Sequence, residues 1–421
     1  MEKSKYTYVV SNDNNVLLFN CIKSTCIVLT QKEYKKFLEN SLNKKLTNQL
    51  KDLGFYIDDG YSEIDELMFK SKLVVDNDRR RFYRIYTTLN CNGNCPYCFE
   101  KNQVRCSMDL KIAENVAKFI EKTTIENNEI LVELFGGEPL VNEKIIDYLS
   151  KRISCIAREK NITFTSRLIT NGLLLDDEKI KKAKKLWHLK FVQITLDGMK
   201  DNYEKIKGFK TKNSFDIVIN NIKELLKANI FVNIRLNYDE NNLNEILDLI
   251  DFLTEELQNY SRYNIYAKKI MADEMDNSVV GSENTDLIIL NRLLEKKVFK
   301  DIIGSIPQRL NTCVANMINS YMILPDGKIA KCSQAASKAD YVGDISQGCN
   351  LEKLVKWCTP RLPQKCLDCK LVPLCNGGCL FEKFRNKNYC FLSEKILLYK
   401  LKYFLDNVFE KENYEIRNEK R

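Results

Sequence analysis

Between residues 79 and 300 the chain keeps a regular beat, a strand-like run followed by a helix-like run, six times over. "RFYRIYTTL" precedes "DLKIAENVAKFIEKT", which leads to "EILVELF", and "EKIIDYLSKRISCIA" leads to "ITFTSRLIT". "DEKIKKAKKLW" leads to "KFVQITL", "SFDIVINNIKELLKA" to "IFVNIRLN", and "NEILDLIDFLTEEL" to "RYNIYAKKI"; "DLIILNRLLEKKVF" closes the series. Apolar periodicity switches between the alternation of a strand and the longer period of a helix. Each crossover helix returns the chain in the same direction, so this pattern dictates an α/β fold with a parallel sheet. Six units suit either an open doubly wound sheet or a partial barrel.

The flanks read differently. Residues 1–78 offer three short strands, "YTYVV", "NVLLF" and "CIVLT", then two helical runs, "QKEYKKFLEN" and "KKLTNQLKDLGF". That is either a small winged-helix-like α+β module or an extension of the next domain. Residues 305–393 are rich in cysteine, with glycine and proline, and suggest a small domain built around metal. Residues 394–421 read as a helix that runs into the charged tail "EKENYEIRNEKR". The expected division is therefore 1–78, 79–304, 305–393 and 394–421.

No stretch approaches the roughly 20 apolar residues that span a bilayer. The start, "MEKSKYTYVVSNDNN", lacks the apolar core of a signal peptide. The expectation is a cytoplasmic protein with no membrane partner. In a reducing compartment its sixteen cysteines serve metal or redox chemistry rather than disulfides. The single histidine, His188, argues against histidine-rich zinc sites and points to mainly thiolate metal sites, either iron–sulfur clusters or cysteine-only zinc. A net charge of +9 spread along 421 residues describes solvated helix faces rather than a nucleic-acid surface.

The unusual dipeptides of the central zone all fall after strands. "CNGNCPYC" follows the first, "GGEP" (Gly136 to Pro139) the second, "TNG" the third and "LDG" the fourth. In parallel α/β folds that edge binds ligands. Three thiolates cannot complete a 4Fe–4S cluster, so one iron is left to an exogenous ligand. Paired glycines let backbone approach a polar ligand, and Glu138 offers a carboxylate to an ammonium group. The combination points to an amino-acid-like cofactor.

"CNGNCPYC" resembles the C-x3-C-x2-C signature of radical S-adenosylmethionine (SAM) enzymes, including aromatic Tyr97 before the third cysteine, and "GGEP" resembles their motif for the SAM amino group. The resemblance implies a partial (β/α)6 TIM-like barrel, in which Cys91, Cys95 and Cys98 hold a 4Fe–4S cluster whose open iron SAM chelates. It implies that electron transfer splits SAM to a 5′-deoxyadenosyl radical that abstracts substrate hydrogen. It also implies SAM contacts at Tyr97, near Phe135, Gly136, Gly137 and Glu138, and at Asn171, Thr195 and Arg235.

Further on, Cys313, Gly327, Cys332, Cys366, Cys369, Cys375, Cys379 and Cys390 are spaced as in the seven-cysteine SPASM domain, which carries two auxiliary clusters. By that resemblance Cys366, Cys369, Cys375 and Cys390 hold one, and Cys313, Cys332 and Cys379 the other. The second set lacks a fourth ligand, so either Cys349 or Cys358 completes it or one iron is open to a substrate thiolate. Cys21, Cys26, Cys106 and Cys155 read as small buried side chains or as bystanders to the chemistry.

SPASM enzymes modify peptides. The sulfatase-maturing branch usually carries an aspartate after the cysteine matching Cys332; here Ser333 follows. The other branch modifies ribosomally made precursor peptides, typically by thioether bonds, and often begins with a winged-helix module that grips the peptide's leader by strand addition. The expected partners are a precursor peptide with its leader and a reductant such as flavodoxin or ferredoxin. No residue stands out as catalytic base. A different class, an iron–sulfur regulator of nucleic acid, lacks a basic recognition helix and has no use for "GGEP".

Overall fold

The computed structural model describes all residues except 76–78, 127–128, 271–282, 300, 307–312, 360–361, 386–389, 391 and 410–421; the charged tail expected at the end lies outside the described residues. The chain forms two compact units, one from Asn77–Val298 with Val314–Thr359, the other from Met1–Asp76, Phe299–Cys313 and Pro360–Arg421. Residues 305–393 thus contribute to both.

The first unit contains six parallel strands: β1 (Arg80–Thr88), β2 (Glu129–Gly136), β3 (Thr163–Thr170), β4 (Leu189–Leu196), β5 (Phe231–Tyr238) and β6 (Tyr263–Lys269). They are joined in sequential order, without the reversal that defines a doubly wound sheet. Right-handed crossovers repeated in one direction place all the helices on one face and leave the other face as a lumen. This decides for the partial barrel. The connecting helices are α1 (Leu110–Thr123), α2 (Glu143–Glu159), α3 (Asp177–Lys185), α4 (Lys200–Lys207), α5 (Ser214–Lys227), α6 (Leu243–Glu256) and α7 (Glu283–Glu295). The sequence pattern places all of them but α4, whose eight residues carry too little apolar periodicity to register.

Alternation along β4 shows how the faces divide. Val192, Ile194 and Leu196 are buried toward the helices, where Ile194 and Val218 of α5 crowd Gly172. Phe191, Gln193 and Thr195 point the other way and stay half-buried. The sheet continues past β1. There β7 (Ser320–Ile323) adds in parallel, followed by the antiparallel strands β8 (Lys328–Ala330), β9 (Gly343–Asp344) and β10 (Gly348–Cys349). Part of the cysteine-rich region is therefore an extension of the barrel sheet, anchored by Met322 opposite Arg84.

In the second unit, strands Thr7–Ser11, Asn15–Asn20 and Thr25–Thr30 form an antiparallel sheet. Helix Gln31–Leu38 starts with a reciprocal capping box between Thr30 and Glu33, and Lys44–Asp52 follows. A third helix, Glu63–Val75, completes the module; its weakly amphipathic sequence does not suggest it. Val16, Leu18, Ile27, Leu29, Phe37, Leu50 and Phe55 fill the core. The module joins the C-terminal segments of the same unit. Lys5 Nζ donates to the Leu367 carbonyl (3.3 Å), Asn376 Nδ2 to Ser71 Oγ (2.8 Å) and Asn12 Nδ2 to Asp406 Oδ1 (3.2 Å). The Lys370 ammonium lies 5.8 Å from the Tyr8 ring centre.

Candidate functional site

The cysteine loop is closed at its base. Leu89 N donates to the Cys106 carbonyl (2.7 Å) and Met108 N to the Thr87 carbonyl (2.9 Å), so the segment between leaves β1 and returns to it. Thr88 bridges Ser107 through backbone and through paired hydroxyls 2.7 Å apart. Inside the loop, Gly93 N donates to Cys91 Sγ (3.4 Å) and Cys98 N to the Cys95 carbonyl (3.3 Å). Cys91, Cys95 and Cys98 are half-buried thiols. Burial, and then their negative neighbours, push the Cys91 and Cys98 thiols up; each feels Cys95. Cations or a metal would favour the thiolates instead.

β2 delivers "GGEP" against this loop by direct backbone contact. Gly137 N donates to the Thr88 carbonyl (3.0 Å) and Glu138 N to the Asn90 carbonyl (2.9 Å). Gly136 has φ +142°, and a Cβ there would lie 2.1 Å from Thr88 O; one on Gly137 would lie 2.5 Å from Asn90 O. Only glycine allows this approach. Phe135, just before, meets Tyr86 edge-on at 4.9 Å, and the Arg84 guanidinium covers its ring at 4.9 Å.

Glu138 is fully buried, and its carboxylate is committed within the protein. It accepts from Thr170 Oγ1 (2.8 and 2.9 Å), Asn171 N (2.8 Å) and Leu140 N (3.1 Å). The side chain therefore ties the end of β2 to the end of β3, while its backbone faces the cysteine loop. Burial pushes its carboxyl up to about 7, against the pull of the Asn171 and Leu140 N–H groups. The folded state holds this proton where the unfolded chain, with an ordinary value of 4.5, releases it. Its contribution to stability therefore falls as pH rises between those values, by up to about 1.4 kcal/mol per pH unit. Glu138→Gln should flatten that decline, as urea unfolding at about pH 5 and about pH 7 would measure.

Asn171 stitches β3 to the loop: its Nδ2 donates to Asn92 Oδ1 (2.7 Å) and its Oδ1 accepts from Leu173 N (3.0 Å). Thr195 and Arg235 are register partners near the same edge, and Arg235 in turn pairs with Tyr266 of β6. Arg235 Nε is held by Asn237 Oδ1 at 2.8 Å. Tyr97 donates its hydroxyl to Asp197 Oδ1 (2.5 Å) of the "LDG" turn, and Asp197 pairs with Lys207 Nζ at 2.7 Å. Sequence reading misses Lys207, which stands among many lysines; the available signal is the aspartate of "LDG". It also misses the lumen network in which Arg84 donates to Glu133 Oε1 and Ser333 Oγ, each at 2.5 Å.

The donor set fits a cluster together with SAM. All the candidate donor atoms are sulfur, they sit on one closed loop, and glycine backbone lies beside them. Two buried polar atoms of the loop, Asn92 Nδ2 and Glu100 Oε1, have no hydrogen-bond partner. Among the described residues no group of three histidine, cysteine or acidic side chains closes tightly enough to grip a bare metal ion.

Of the other cysteines, Cys366, Cys369, Cys375 and Cys390 lie in the second unit within electrostatic reach of one another; burial and then nearby charges raise Cys366 and Cys375. Cys379 is in that unit near Lys383, and so is Cys313. Cys332, Cys349 and Cys358 belong to the barrel unit, the last two close enough to influence each other. Cys21 is buried, whereas Cys26, Cys106 and Cys155 are half-buried.

Residues 85–253 match the radical SAM superfamily. The chain is 23% identical to the radical SAM cyclopropyl synthase TigE of Paramaledivibacter caminithermalis over 90% of this chain and 89% of that protein. It is 34% identical to a GTP 3′,8-cyclase of Clostridium perfringens, over 41% of this chain and only 52% of the cyclase. In fold it is similar to anSMEcpe with bound AdoMet (TM-score 0.59, 18% identity, 77% of this chain and 96% of that one). It is also similar to Streptococcus suis SuiB bound to S-adenosylmethionine (TM-score 0.53, 15% identity, 94% and 99%). Among the described residues no helix is long and apolar enough to cross a membrane. A sulfur-only loop seated on a glycine edge of a partial barrel and the match over residues 85–253 lead to one conclusion: residues 85–253 form a radical SAM domain, of the superfamily that works with S-adenosylmethionine and a 4Fe–4S cluster.

Proposed function

We propose that this enzyme modifies a ribosomally made precursor peptide, joining a cysteine sulfur to a carbon of the same peptide. Cys91, Cys95 and Cys98 would hold the cluster, and the backbone of Gly136 to Glu138, with Asn171, Thr195 and Arg235, would receive SAM. When bound, the pair supplies a one-electron cleavage that gives a hydrogen-abstracting radical. The protein's own part is to close the loop, fix the glycine edge and line the lumen with Tyr86, Phe135, Gln193 and Asn233. Removing hydrogen from both sulfur and carbon leaves an electron to dispose of, which the auxiliary set at Cys366, Cys369, Cys375 and Cys390 would accept.

One observation carries this reading: the unit that gathers Cys366, Cys369, Cys375 and Cys390 also holds a small sheet with an edge to offer. Strand Thr25–Thr30 pairs only with Asn15–Asn20 among the described residues, so a leader strand has backbone to join. SuiB, similar over nearly its whole length, has been solved bound to its precursor peptide SuiA. Ser333, a neutral hydroxyl held by Arg84, is no substitute for the aspartate base of the sulfatase branch.

The likeness to a cyclopropyl synthase over 90% of the chain favours a second reading, carbon–carbon closure on a peptide. One experiment separates the two. Anaerobically reconstituted enzyme, reduced and given SAM, is incubated with the cysteine-bearing peptide of a neighbouring short reading frame. Release of 5′-deoxyadenosine with loss of an alkylatable cysteine is the expected result. Product that has lost hydrogen but still alkylates supports carbon–carbon closure. No 5′-deoxyadenosine at all removes both readings.

A further inference from the structure

Lys207 is among the most thoroughly enclosed side chains in the barrel unit, 3% exposed, and Asp197 beside it is 0% exposed. A buried lysine–aspartate pair is a poor source of stability, because desolvation offsets much of the attraction. What the pair does hold is the cysteine loop. Tyr97, between Cys95 and Cys98, donates its hydroxyl to Asp197 Oδ1 at 2.5 Å, while Lys207 Nζ reaches the same hydroxyl at 3.3 Å. One residue before Cys95, Asn94 N donates to the Lys207 carbonyl at 2.7 Å. The two attachments thus flank Cys95.

The local fold explains why Lys207 is there. Helix α4 starts at the "LDG" turn and stops at Gly208, which is left-handed at φ 59°. That stop turns the Lys207 carbonyl toward the loop. Gly93 completes the seat: a Cβ there would lie 2.9 Å from the Phe209 ring and 3.2 Å from the Lys207 carbonyl. The Asp197 carbonyl is itself fixed by Asn202 Nδ2 (3.2 Å) and Asn242 Nδ2 (3.1 Å), so the latch is mounted on rigid backbone. Lys207 Nζ, 2.7 Å from Asp197 Oδ2, also faces the Tyr97 hydroxyl of the loop.

We propose that Lys207, Asp197 and Tyr97 form a latch that positions Cys95 and Cys98, with Lys207 as a positioning residue for the cluster. This rests on the cysteine loop being the cluster site. Supporting side chains behind metal ligands typically change metal retention by about 10- to 100-fold, and the latch belongs in that range.

The test uses full-length, reconstituted protein. Y97F removes one hydroxyl, and K207M/D197N replaces the ion pair by neutral groups of similar size. Iron loss to a chelator is followed in time, and the reduced-state EPR spectrum is recorded with and without SAM. Both variants should lose the SAM-responsive cluster about tenfold faster than wild type and alter its EPR line shape, with circular dichroism unchanged. K207R, which keeps the charge, should recover part of the retention. Wild-type retention and line shape in folded K207M/D197N and Y97F overturn the latch. If the double variant does not fold, Y97F alone decides by the same two readouts. The underlying site assignment fails separately: wild type would then hold no more iron than a C91A/C95A/C98A chain.

Discussion

With Cys91, Cys95 and Cys98 all replaced by alanine, the reconstituted chain should carry about four fewer irons and release no detectable 5′-deoxyadenosine from SAM. The expected loss is total because the three thiols share one loop whose base is pinned to β1 at Leu89 and Met108. The fourth cysteine of that closed segment, Cys106, sits at its base, where its carbonyl accepts from Leu89 N, outside the spacing of the other three. Fold should survive, since the loop is held at its base by backbone and hydroxyl bonds that involve none of the three sulfurs. Replacing Cys366, Cys369, Cys375 and Cys390 is the contrasting case. It should remove a similar amount of iron, about four per chain, while SAM cleavage without peptide continues. Iron assay and chromatographic detection of 5′-deoxyadenosine distinguish the two. A triple variant that still cleaves SAM would contradict the assignment of the loop.

The second large effect is expected at Gly136. An alanine there must accept φ +142°, and its Cβ would sit 2.1 Å from the Thr88 carbonyl oxygen. The neighbour is backbone of the central strand β1 and cannot swing aside. Residues forced into such glycine-only regions cost of order 1–3 kcal/mol before any clash is counted. Gly136→Ala should therefore destabilise the barrel by about 3 kcal/mol or more in urea unfolding. It should also abolish SAM cleavage, because the shift displaces Gly137 and Glu138 from the loop they bond. Gly60, whose added Cβ would meet nothing within 4 Å, is the control: it shares a positive φ, +76°, but has no close neighbour. Its alanine variant should lose only the backbone part of the effect and keep full SAM cleavage.

Much of the barrel is legible in the order of its residues. The strands and most helices lie where the apolar pattern puts them, because buried strands and amphipathic helices announce themselves by period. "CNGNCPYC" and "GGEP" stand out because sulfur spacing and paired glycines have few other uses. Lys207 does not: in "KDNYEKIKGF" nothing separates a buried cation from its solvated neighbours. Nor does Glu138's inward commitment. Its hydrogen bonds run to Thr170 and Asn171, more than thirty residues on, and depend on β2 and β3 ending side by side.

The N-terminal module makes the same point at larger scale. Read as a sequence, residues 1–78 suit either a small separate module or an extension of the next domain. In the fold they share a compact unit with Pro360–Arg421, linked by Lys5 to Leu367 and by Ser71 to Asn376. A contact of that separation leaves no periodic trace, since each partner sees only its own local neighbours while the chain is read in order.

The linear sequence, then, determined the parallel strand–helix repeat, the sulfur chemistry and the strand ends that carry it, since these follow from local periodicity and from what each side chain can do. Strand periodicity left barrel and open sheet open until strand order separated them, and tertiary structure alone decided the inward turn of Glu138, the pairing of Lys207 with Asp197, and the joining of the first and last segments. Those outcomes arise from close contact between groups far apart in the chain, where burial sets which polar atoms must find one another.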